Sequence, residues 1–233
     1  MLVSCVITAA GRNSRMEKSQ IQKGINIKNK LLLPFPTEGS EKTVIETTIN
    51  NVLSAKVDEC IVVLGHFADE IKEVVSNISD SRIKIVENKD INVGLSTSLL
   101  NGLNNCTNDF VLCVASDQPT VSTKTYNNII DVINKANNSN SKTIGPKKTI
   151  SILRRRNTGI LDTAEGLGMP FVANHQQISN YIHGEDDNLN PILRNMFADG
   201  FCFYGVKEEN DLELININNY DDYNFVLNSL NNK

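Results

Sequence analysis

Continuous apolar runs alternate with amphipathic segments through the first half of the chain. Four of the runs are rich in β-branched residues, and they read LVSCVIT (2–8), ECIVVLG (59–65), RIKIVEN (82–88) and DFVLCVAS (109–116). Runs without polar alternation are typical of strands that are covered on both faces of a sheet. The pattern therefore predicts four buried strands.

Segments with helical spacing of apolar residues lie between these runs and after the last one. They cover residues 44–55, 67–78, 95–105 and 123–136. Strands and helices that alternate in this way are joined by right-handed crossovers and build a mostly parallel sheet with helices on both faces. The predicted fold class is α/β with a doubly wound sheet.

The second half of the chain is less regular. Its apolar segments predict a strand within 149–157, a long glycine-containing loop over 158–170, a helix over 190–197, two strands over 200–207 and 211–217, and a last helix over 220–230. We find no internal repeat and no composition change that would mark a boundary. The expectation is one domain over residues 1–233.

Composition excludes several classes of function. The net charge of -4 argues against broad affinity for nucleic acid. No apolar run approaches the roughly 20 residues needed to span a bilayer, and the first strand lacks the basic start of a signal peptide. The five cysteines include no C-x-x-C pair, so we expect them to be reduced. The composition predicts a cytoplasmic protein with no nucleic-acid or membrane partner.

An arginine run at 154–156 is the one basic cluster that invites a nucleic-acid interpretation. Three successive residues of a strand cannot share a face, and no aromatic side chains interleave with them as stacking platforms. We therefore interpret the run as a solvated or phosphate-facing edge.

Small or polar residues follow each of the four predicted strands. They are Ala9, Ala10, Gly11 and Arg15 after the first strand, Gly65 after the second, Asn88, Gly94 and Ser98 after the third, and Asp117 after the fourth. Ligands of open α/β sheets bind outside the carboxyl ends of the strands. The sequence thus places a candidate binding site at this edge.

The loop after the first strand matches neither the dinucleotide fingerprint nor the P-loop. Its small residues would expose backbone N–H groups, and these together with Arg15 would suit a triphosphate. The alternative is an ordinary strand-to-helix turn. Lys30, in KLLLPF, is either a solvated lysine or a charge that reaches the phosphates.

The polar residues after the third and fourth strands also have two interpretations. Asn88 and Ser98 could cap turns and helices. Asp117 could be a turn residue. Because Asp117 directly follows a strongly apolar strand, it is also suited to hold a hard cation rigidly.

Five motifs follow one another between residues 3 and about 121: A-A-G-x-x-S-R-M, K-x-L-L-P, V-V-L-G-H, N-(x5)-G-L-S-T-S-L and D-Q-P. In this order the chain resembles the molybdenum-cofactor nucleotidyltransferases of the MobA-like NTP-transferase family, and it is most similar to their cytidylyltransferase branch. The C-terminal half is similar more loosely, through GMPFV (168–172), GEDD (184–187) and the closing LININNYDDY (214–223).

The resemblance implies a Rossmann-like nucleotidyltransferase fold with one antiparallel strand. It implies transfer of a nucleoside monophosphate from an NTP, CTP in preference to GTP, to a phosphorylated small molecule such as molybdopterin, with Mg²⁺ or Mn²⁺ as cofactor. By the same resemblance, each group of candidate residues has a role. Ala9, Ala10 and Gly11 would surround the triphosphate, Arg15 would meet its outer phosphates, Lys30 would neutralise the departing pyrophosphate, Gly65, Asn88, Gly94 and Ser98 would line base and ribose, and Asp117 would bind the metal.

The chain departs from the family pattern at several positions. Glu17 replaces a common glycine, and the longer stretch from Glu17 to Asn29 brings Lys18, Lys23 and Lys28 into competition with Lys30. Asn216 and Asn218 stand where the family usually has aspartates.

Three alternative functions remain. A sugar or polyol phosphate could be the acceptor, since the fold hosts such transferases. The protein could bind nucleotides without turnover, an alternative that Glu17 and Asn216 motivate. A nucleotide-sugar glycosyltransferase is disfavoured by D-Q-P in place of D-x-D.

Overall fold

The four predicted buried strands lie side by side and form one half of an eight-stranded sheet. The computed structural model describes residues 1–37, 40–138, 145–183 and 188–231, and GEDD (184–187) lies outside these residues. The strands are β1 (Val3–Ala9), β2 (Pro34–Thr37), β3 (Ser40–Thr43), β4 (Glu59–Leu64), β5 (Ile83–Glu87), β6 (Phe110–Ala115), β7 (Thr149–Leu153), β8 (Gly159–Ile160), β9 (Phe171–Asn174) and β10 (Cys202–Val206). Their order in the large sheet is β5-β4-β1-β6-β9-β7-β10-β8.

Helices cover both faces of this sheet, as the alternating pattern predicted. They are α1 (Ser14–Gln22), α2 (Val44–Leu53), α3 (Ala68–Ser76), α4 (Leu95–Leu103), α5 (Thr123–Asn138), α6 (His175–Tyr181), α7 (Leu189–Ala198) and α8 (Tyr220–Asn231). None of the helices in the described ranges is both long and apolar enough to cross a membrane.

The direction of the strands brings their carboxyl ends to one edge. β4, β1 and β6 are parallel neighbours, with β5 parallel to β4. β9 is antiparallel to both β6 and β7, so β7 and its parallel neighbour β10 run in the same direction as β6. The implied antiparallel strand is therefore present as β9, and the short edge strand β8 is a second one. The fold is the mostly parallel α/β class that the sequence predicted.

Side chains of successive strand residues point to opposite faces, which creates two cores. Cys5 and Ile7 of β1 belong to the core under α2 and α5, whereas Val6 belongs to the core under α4 and α7. At Gly102 of α4, an added Cβ would lie 2.4 Å from Cγ1 of Val6. Only glycine lets α4 pack this closely, and the close packing carries the start of α4 to the carboxyl edge.

Two predictions for the less regular segments were wrong. The segment DLELINI (211–217) contains a 3-10 turn at Asp211–Leu214 and no strand. The side chain of Asn210 accepts a hydrogen bond from the N–H of Leu212, and the fully buried Glu213 accepts one from Thr125. These local and tertiary bonds replace strand pairing. The predicted loop over 158–170 contains the short strand β8.

The stretch between Glu17 and Lys30 is anchored to the rest of the fold. Helix α1 takes up its first part, and the fully buried Gln20 accepts a hydrogen bond from the N–H of Lys28 at 3.0 Å. The exposed Lys23 pairs with Asp221 of α8 at 2.8 Å. The longer stretch thus packs against the C-terminal helix.

Candidate functional site

A cleft of about 310 Å³ opens at the carboxyl edge of the sheet, between the loop after β1, the start of α4 and the end of β6. Seven of the sequence-predicted site residues line it: Ala10, Gly11, Arg15, Lys30, Gly94, Ser98 and Asp117. The fold therefore brings together residues from four separate motifs.

The loop after β1 passes into α1 through a residue with unusual backbone geometry. Asn13 has φ 60°, in the left-handed region that asparagine tolerates better than most residues. Its side chain does not cap α1. It accepts from the N–H of Lys30 at 3.0 Å and donates to the carbonyl of Lys28 at 3.2 Å. Among the described residues, no side chain caps the N–H groups of the first turn of α1, and uncapped N–H groups at the start of a helix are suited to bind anions.

Lys30 and Asp117 meet in the cleft. The Nζ of Lys30 lies 2.5 Å from Oδ2 of Asp117, and the two side chains are 17% and 14% exposed. The other carboxylate oxygen, Oδ1 of Asp117, is buried and has no hydrogen-bond partner within the described residues. Unpartnered buried oxygens are uncommon in folded proteins, and they call for an explanation such as a ligand.

Arg15 is the second cationic side chain of the cleft. It is exposed, it lines the cleft, and no ion pair joins it to a carboxylate in the described part of the chain. Of the four lysines that compete by sequence, Lys30 is the one that lines the cleft, while Lys23 is held by Asp221.

Ser98 belongs to a small network at the start of α4. Its Oγ accepts from Nδ2 of Asn88 at 2.9 Å and donates to the carbonyl of Gly94 at 3.0 Å. Asn88 also accepts from Asn101 at 3.0 Å. Asn88 thus lies one contact behind the cleft and orients Ser98.

Ala9 and Gly65 also lie behind the cleft surface. Ala9 is buried at the end of β1. A Cβ on Gly65 would lie 2.8 Å from Cβ of Ala10, so a larger residue would push the loop after β1 out of place. The roles of these residues toward a nucleotide remain predictions, and their observed contribution is to support the loop.

The sequence analysis gave no role to Asn13, and it named Asn216 only as a departure from the aspartate that is usual in the family. Both line the cleft, together with Asn218. Oδ1 of Asn216 accepts from Nε2 of the fully buried Gln118 at 3.1 Å. An asparagine directly before a helix was the one available signal for Asn13, because asparagine favours both caps and positive φ.

The arginine run follows β7 at the same edge of the sheet. Arg154 forms a bidentate pair with Glu208, and Arg155 is half-buried and donates to the carbonyls of Leu214 and Met169 at 3.0 and 3.2 Å. Burial lowers the pKa of the Arg155 guanidinium. Of the three, Arg156 is exposed, as a solvated edge requires, and the phosphate-facing alternative stays a prediction.

A second polar cluster lies at the opposite, amino edge of the same strands. The carboxylate of Glu59 accepts from Ser4 Oγ at 2.5 Å, from the N–H and Oγ1 of Thr107 at 2.6 and 2.9 Å, and from Lys84 Nζ at 2.7 Å. Burial alone would raise the pKa of Glu59, but hydrogen bonds from Lys84, Ser4 and Thr107 lower it to about 2.

Comparison with known proteins connects the cleft to a family. Residues 5–148 match the model of the MobA-like NTP transferase domain, which includes the loop after β1, Lys30, the start of α4 and Asp117. The chain belongs to the MobA-like NTP transferase family. No curated protein matched the sequence.

Solved structures of similar proteins agree with this assignment. A nucleotidyl transferase from Methanothermobacter thermautotroptrophicus is 41% identical, with a TM-score of 0.83 over 97% of this chain and 95% of its own. Two more distant structures share the fold. 4-Diphosphocytidyl-2C-methyl-D-erythritol synthase from Anaerococcus prevotii is 17% identical, with a TM-score of 0.68 over 99% and 96% of the two chains.

The other distant structure, Rv0371c from Mycobacterium tuberculosis in complex with manganese, is 19% identical, with a TM-score of 0.62 over 98% and 100%. Together with the family match, the first of the three structures identifies the protein as a MobA-like nucleotidyltransferase.

Proposed function

We propose that this MobA-like transferase moves CMP from CTP to a phosphorylated small molecule, with a molybdopterin-type cofactor as the acceptor and Mg²⁺ or Mn²⁺ as the metal. The observation that carries the proposal is the cleft at the carboxyl edge, where Arg15, Lys30 and the half-partnered carboxylate of Asp117 face the same space.

The reaction forms one phosphorus–oxygen bond and breaks another. An oxygen of the acceptor phosphate attacks the α-phosphorus of CTP, and the bond from that phosphorus to the bridging oxygen breaks, so that pyrophosphate leaves. The acceptor is already an anion, so no general base is required. The protein has mainly to position the groups and to compensate negative charge.

Each cleft residue has a part in this task. The N–H groups after β1 and at the start of α1 would hold the triphosphate, and Arg15 would bind its outer oxygens. The ammonium of Lys30 would stabilise the charge that develops on the departing pyrophosphate. Ser98, oriented by Asn88, would contact the nucleoside.

The residues present fit a divalent metal. Mg²⁺ prefers oxygen ligands, retains water, and takes one or two carboxylates together with substrate phosphates. Asp117 supplies a rigid carboxylate whose Oδ1 is buried without a partner. A bound metal would neutralise phosphate charge. Within the described residues no three His, Cys, Asp or Glu side chains gather into a metal site, so Asp117 would share the ion with the nucleotide.

CTP and molybdopterin are supported less directly than the reaction class. The motif order is most similar to that of the cytidylyltransferase branch, and the Anaerococcus structure is named for a diphosphocytidyl product. That product is also a polyol derivative, and therefore a polyol phosphate is the second acceptor to test.

The experiment is a matrix of the four NTPs against molybdopterin, 2-C-methylerythritol 4-phosphate and glycerol 3-phosphate, with Mg²⁺-dependent pyrophosphate release as the readout. We expect the highest release with CTP and molybdopterin, and background release from an Asp117→Asn control. Greater pyrophosphate release with a polyol phosphate than with molybdopterin would show that the polyol phosphate is the acceptor. NTP binding without pyrophosphate release for every combination of NTP and acceptor would indicate a nucleotide-binding accessory protein.

A further inference from the structure

The ammonium of Lys30 occupies the position of a cation on the proposed metal ligand. It lies 2.5 Å from Oδ2 of Asp117, and both side chains are more than four-fifths buried. Among the described residues, Asp117 is the one ion-pair partner of Lys30, and Lys30 is the one ion-pair partner of Asp117. Each charge therefore depends on the other in the free protein.

Asn13 fixes the segment that carries this lysine. Its Oδ1 accepts from the backbone N–H of Lys30, and its Nδ2 donates to the carbonyl of Lys28. Asn13 is also the last residue before α1, at the end of the loop proposed to hold phosphate. The loop after β1 and the Lys30 segment are thus joined by two hydrogen bonds from one side chain.

A divalent ion on Oδ1 and an ammonium group on Oδ2 of the same carboxylate repel each other, and the repulsion is stronger in a partly buried cleft than in water, so the ammonium lowers the affinity of the carboxylate for the metal. Phosphates of an incoming nucleotide would change this balance. They offer Lys30 an alternative anion and offer the metal additional oxygen ligands.

We propose that Lys30 is an internal counter-ion that blocks Asp117 to metal until a nucleotide arrives, and that Asn13 positions it for this exchange. The inference rests on the proposed metal-dependent transfer and adds an order of binding to it. Metal binds together with the nucleotide, while Lys30 moves from the carboxylate to the phosphates.

The test measures Mn²⁺ binding to the nucleotide-free full chain by calorimetry and by electron paramagnetic resonance. In Lys30→Met, which removes the charge and keeps an apolar chain of similar length, we expect Mn²⁺ affinity to rise by about tenfold, because the ammonium group that competes with the metal for the carboxylate and repels it is gone. Lys30→Arg keeps the charge and should stay within about twofold of wild type. Lys28→Met is the matched control outside the cleft.

The site of any gain is checked by combining variants. Lys30→Met with Asp117→Asn should lose the added affinity, because the carboxylate that receives the metal is gone. Mn²⁺ affinity that is equal in Lys30→Met and wild type would overturn the proposal, and so would a gain that survives Asp117→Asn.

Asn13→Gly gives a second, independent variant, since glycine adopts positive φ without strain while losing both hydrogen bonds. It should raise Mn²⁺ affinity of the free protein by about two- to threefold, and an unchanged affinity would contradict the positioning role. None of these measurements requires turnover. Failure of the transfer reaction would therefore be visible separately, as absent pyrophosphate release with the metal results intact.

Discussion

Two polar clusters lie at opposite edges of the same central strands, and they differ in how completely their carboxylates are satisfied. At the amino edge, Glu59 accepts four hydrogen bonds from the protein itself. At the carboxyl edge, Asp117 has one partner, Lys30, and a buried oxygen without any. Both carboxylates lie at the ends of buried apolar strands: Glu59 begins β4, and Asp117 follows β6.

The difference separates structure from function. A buried polar group that is fully bonded by its own fold stabilises that fold, whereas one that is left incomplete is a place for a ligand. Glu59 should therefore matter for folding and not for chemistry, and Asp117 should show the reverse. Each prediction below tests one side of this contrast.

The largest effect is expected for Asp117→Asn. The nearly isosteric amide removes the negative charge needed for a cation, so Mg²⁺-dependent turnover should fall by about 10³-fold, comparable to the loss of one strong transition-state contact. The free energy of unfolding should fall by no more than about 1.5 kcal/mol, because the amide oxygen still accepts a hydrogen bond from Lys30. Pyrophosphate release and urea denaturation give the two numbers. Turnover near the wild-type value would show that the metal is held elsewhere.

Glu59→Ala should have the opposite profile. It leaves the hydroxyl of Ser4, the N–H of Thr107 and the ammonium of Lys84 without their acceptor, and it should lower the free energy of unfolding by about 3 kcal/mol. NTP affinity should be unchanged in protein that remains folded. Weaker NTP binding with unaltered denaturation would contradict the contrast between the two edges.

Lys30→Ala tests the cation at the carboxyl edge. Charge on pyrophosphate grows in the transition state, so kcat should fall by about 10²-fold while KM for CTP changes little. Lys23→Ala removes only an exposed pair with Asp221 and serves as the control. A larger effect at Lys23 would show that the catalytic lysine had been misplaced.

Arg15→Ala should weaken NTP binding by about 1.5–3 kcal/mol, the range of hydrogen bonds to charged groups. Its stability effect should be small, because the side chain is exposed. Arg154→Ala breaks the pair with Glu208 and is the matched arginine outside the cleft. Titration calorimetry with CTP compares the two, and equal affinity for Arg15→Ala and wild type would remove Arg15 from the site.

The smallest effect concerns acid stability. The pKa of Glu59 is about 2 in the folded protein, against the usual 4.5 of a glutamate, so its stabilisation is present above about pH 4.5 and is lost as the pH falls toward 2. Between pH 5 and pH 3 the loss should be on the order of 1–2 kcal/mol. The stability difference between wild type and Glu59→Gln should shrink over this interval. A stability difference that stays constant with pH would mean that the partners of Glu59 do not stabilise its ionised form.

The central strands could be predicted from the sequence because each is buried on both faces and so appears as an unbroken apolar run. The apolar pattern was misleading over 211–217. There Glu213 occupies what looks like a polar position of an alternating strand, but the segment forms no strand. Its bonds to Ser122, Thr125 and Glu209 come from distant or local groups that no periodicity reveals. The position of the implied antiparallel strand, β9, was not predicted, because Phe171–Asn174 is too short to form a pattern.

For the cleft, the lining residues could be predicted from the sequence, but the contacts between their side chains could not. Spacing and motif order indicated that the residues after β1, β5 and β6 would converge, and six of them line one cleft together with Lys30. The ion pair between Lys30 and Asp117 joins residues that are 87 positions apart, and the link from Asn13 to Lys30 depends on a positive φ. Contacts of this kind are set by tertiary structure, so the sequence alone left these side chains without partners.

The antiparallel strand β9 has a consequence for the order of folding. It lies between β6 and β7, and its pairing joins Phe110 to Asn174 and Ser151 to Val172. Both β9 and β7 come after residue 148, so these pairings cannot form until the second half of the chain has been synthesised. The four-stranded half β5-β4-β1-β6 contains only earlier residues, and it can assemble as the nascent chain emerges. The loop after β1 and Asp117 both belong to that half, so the phosphate-facing wall of the cleft can exist before the sheet is closed.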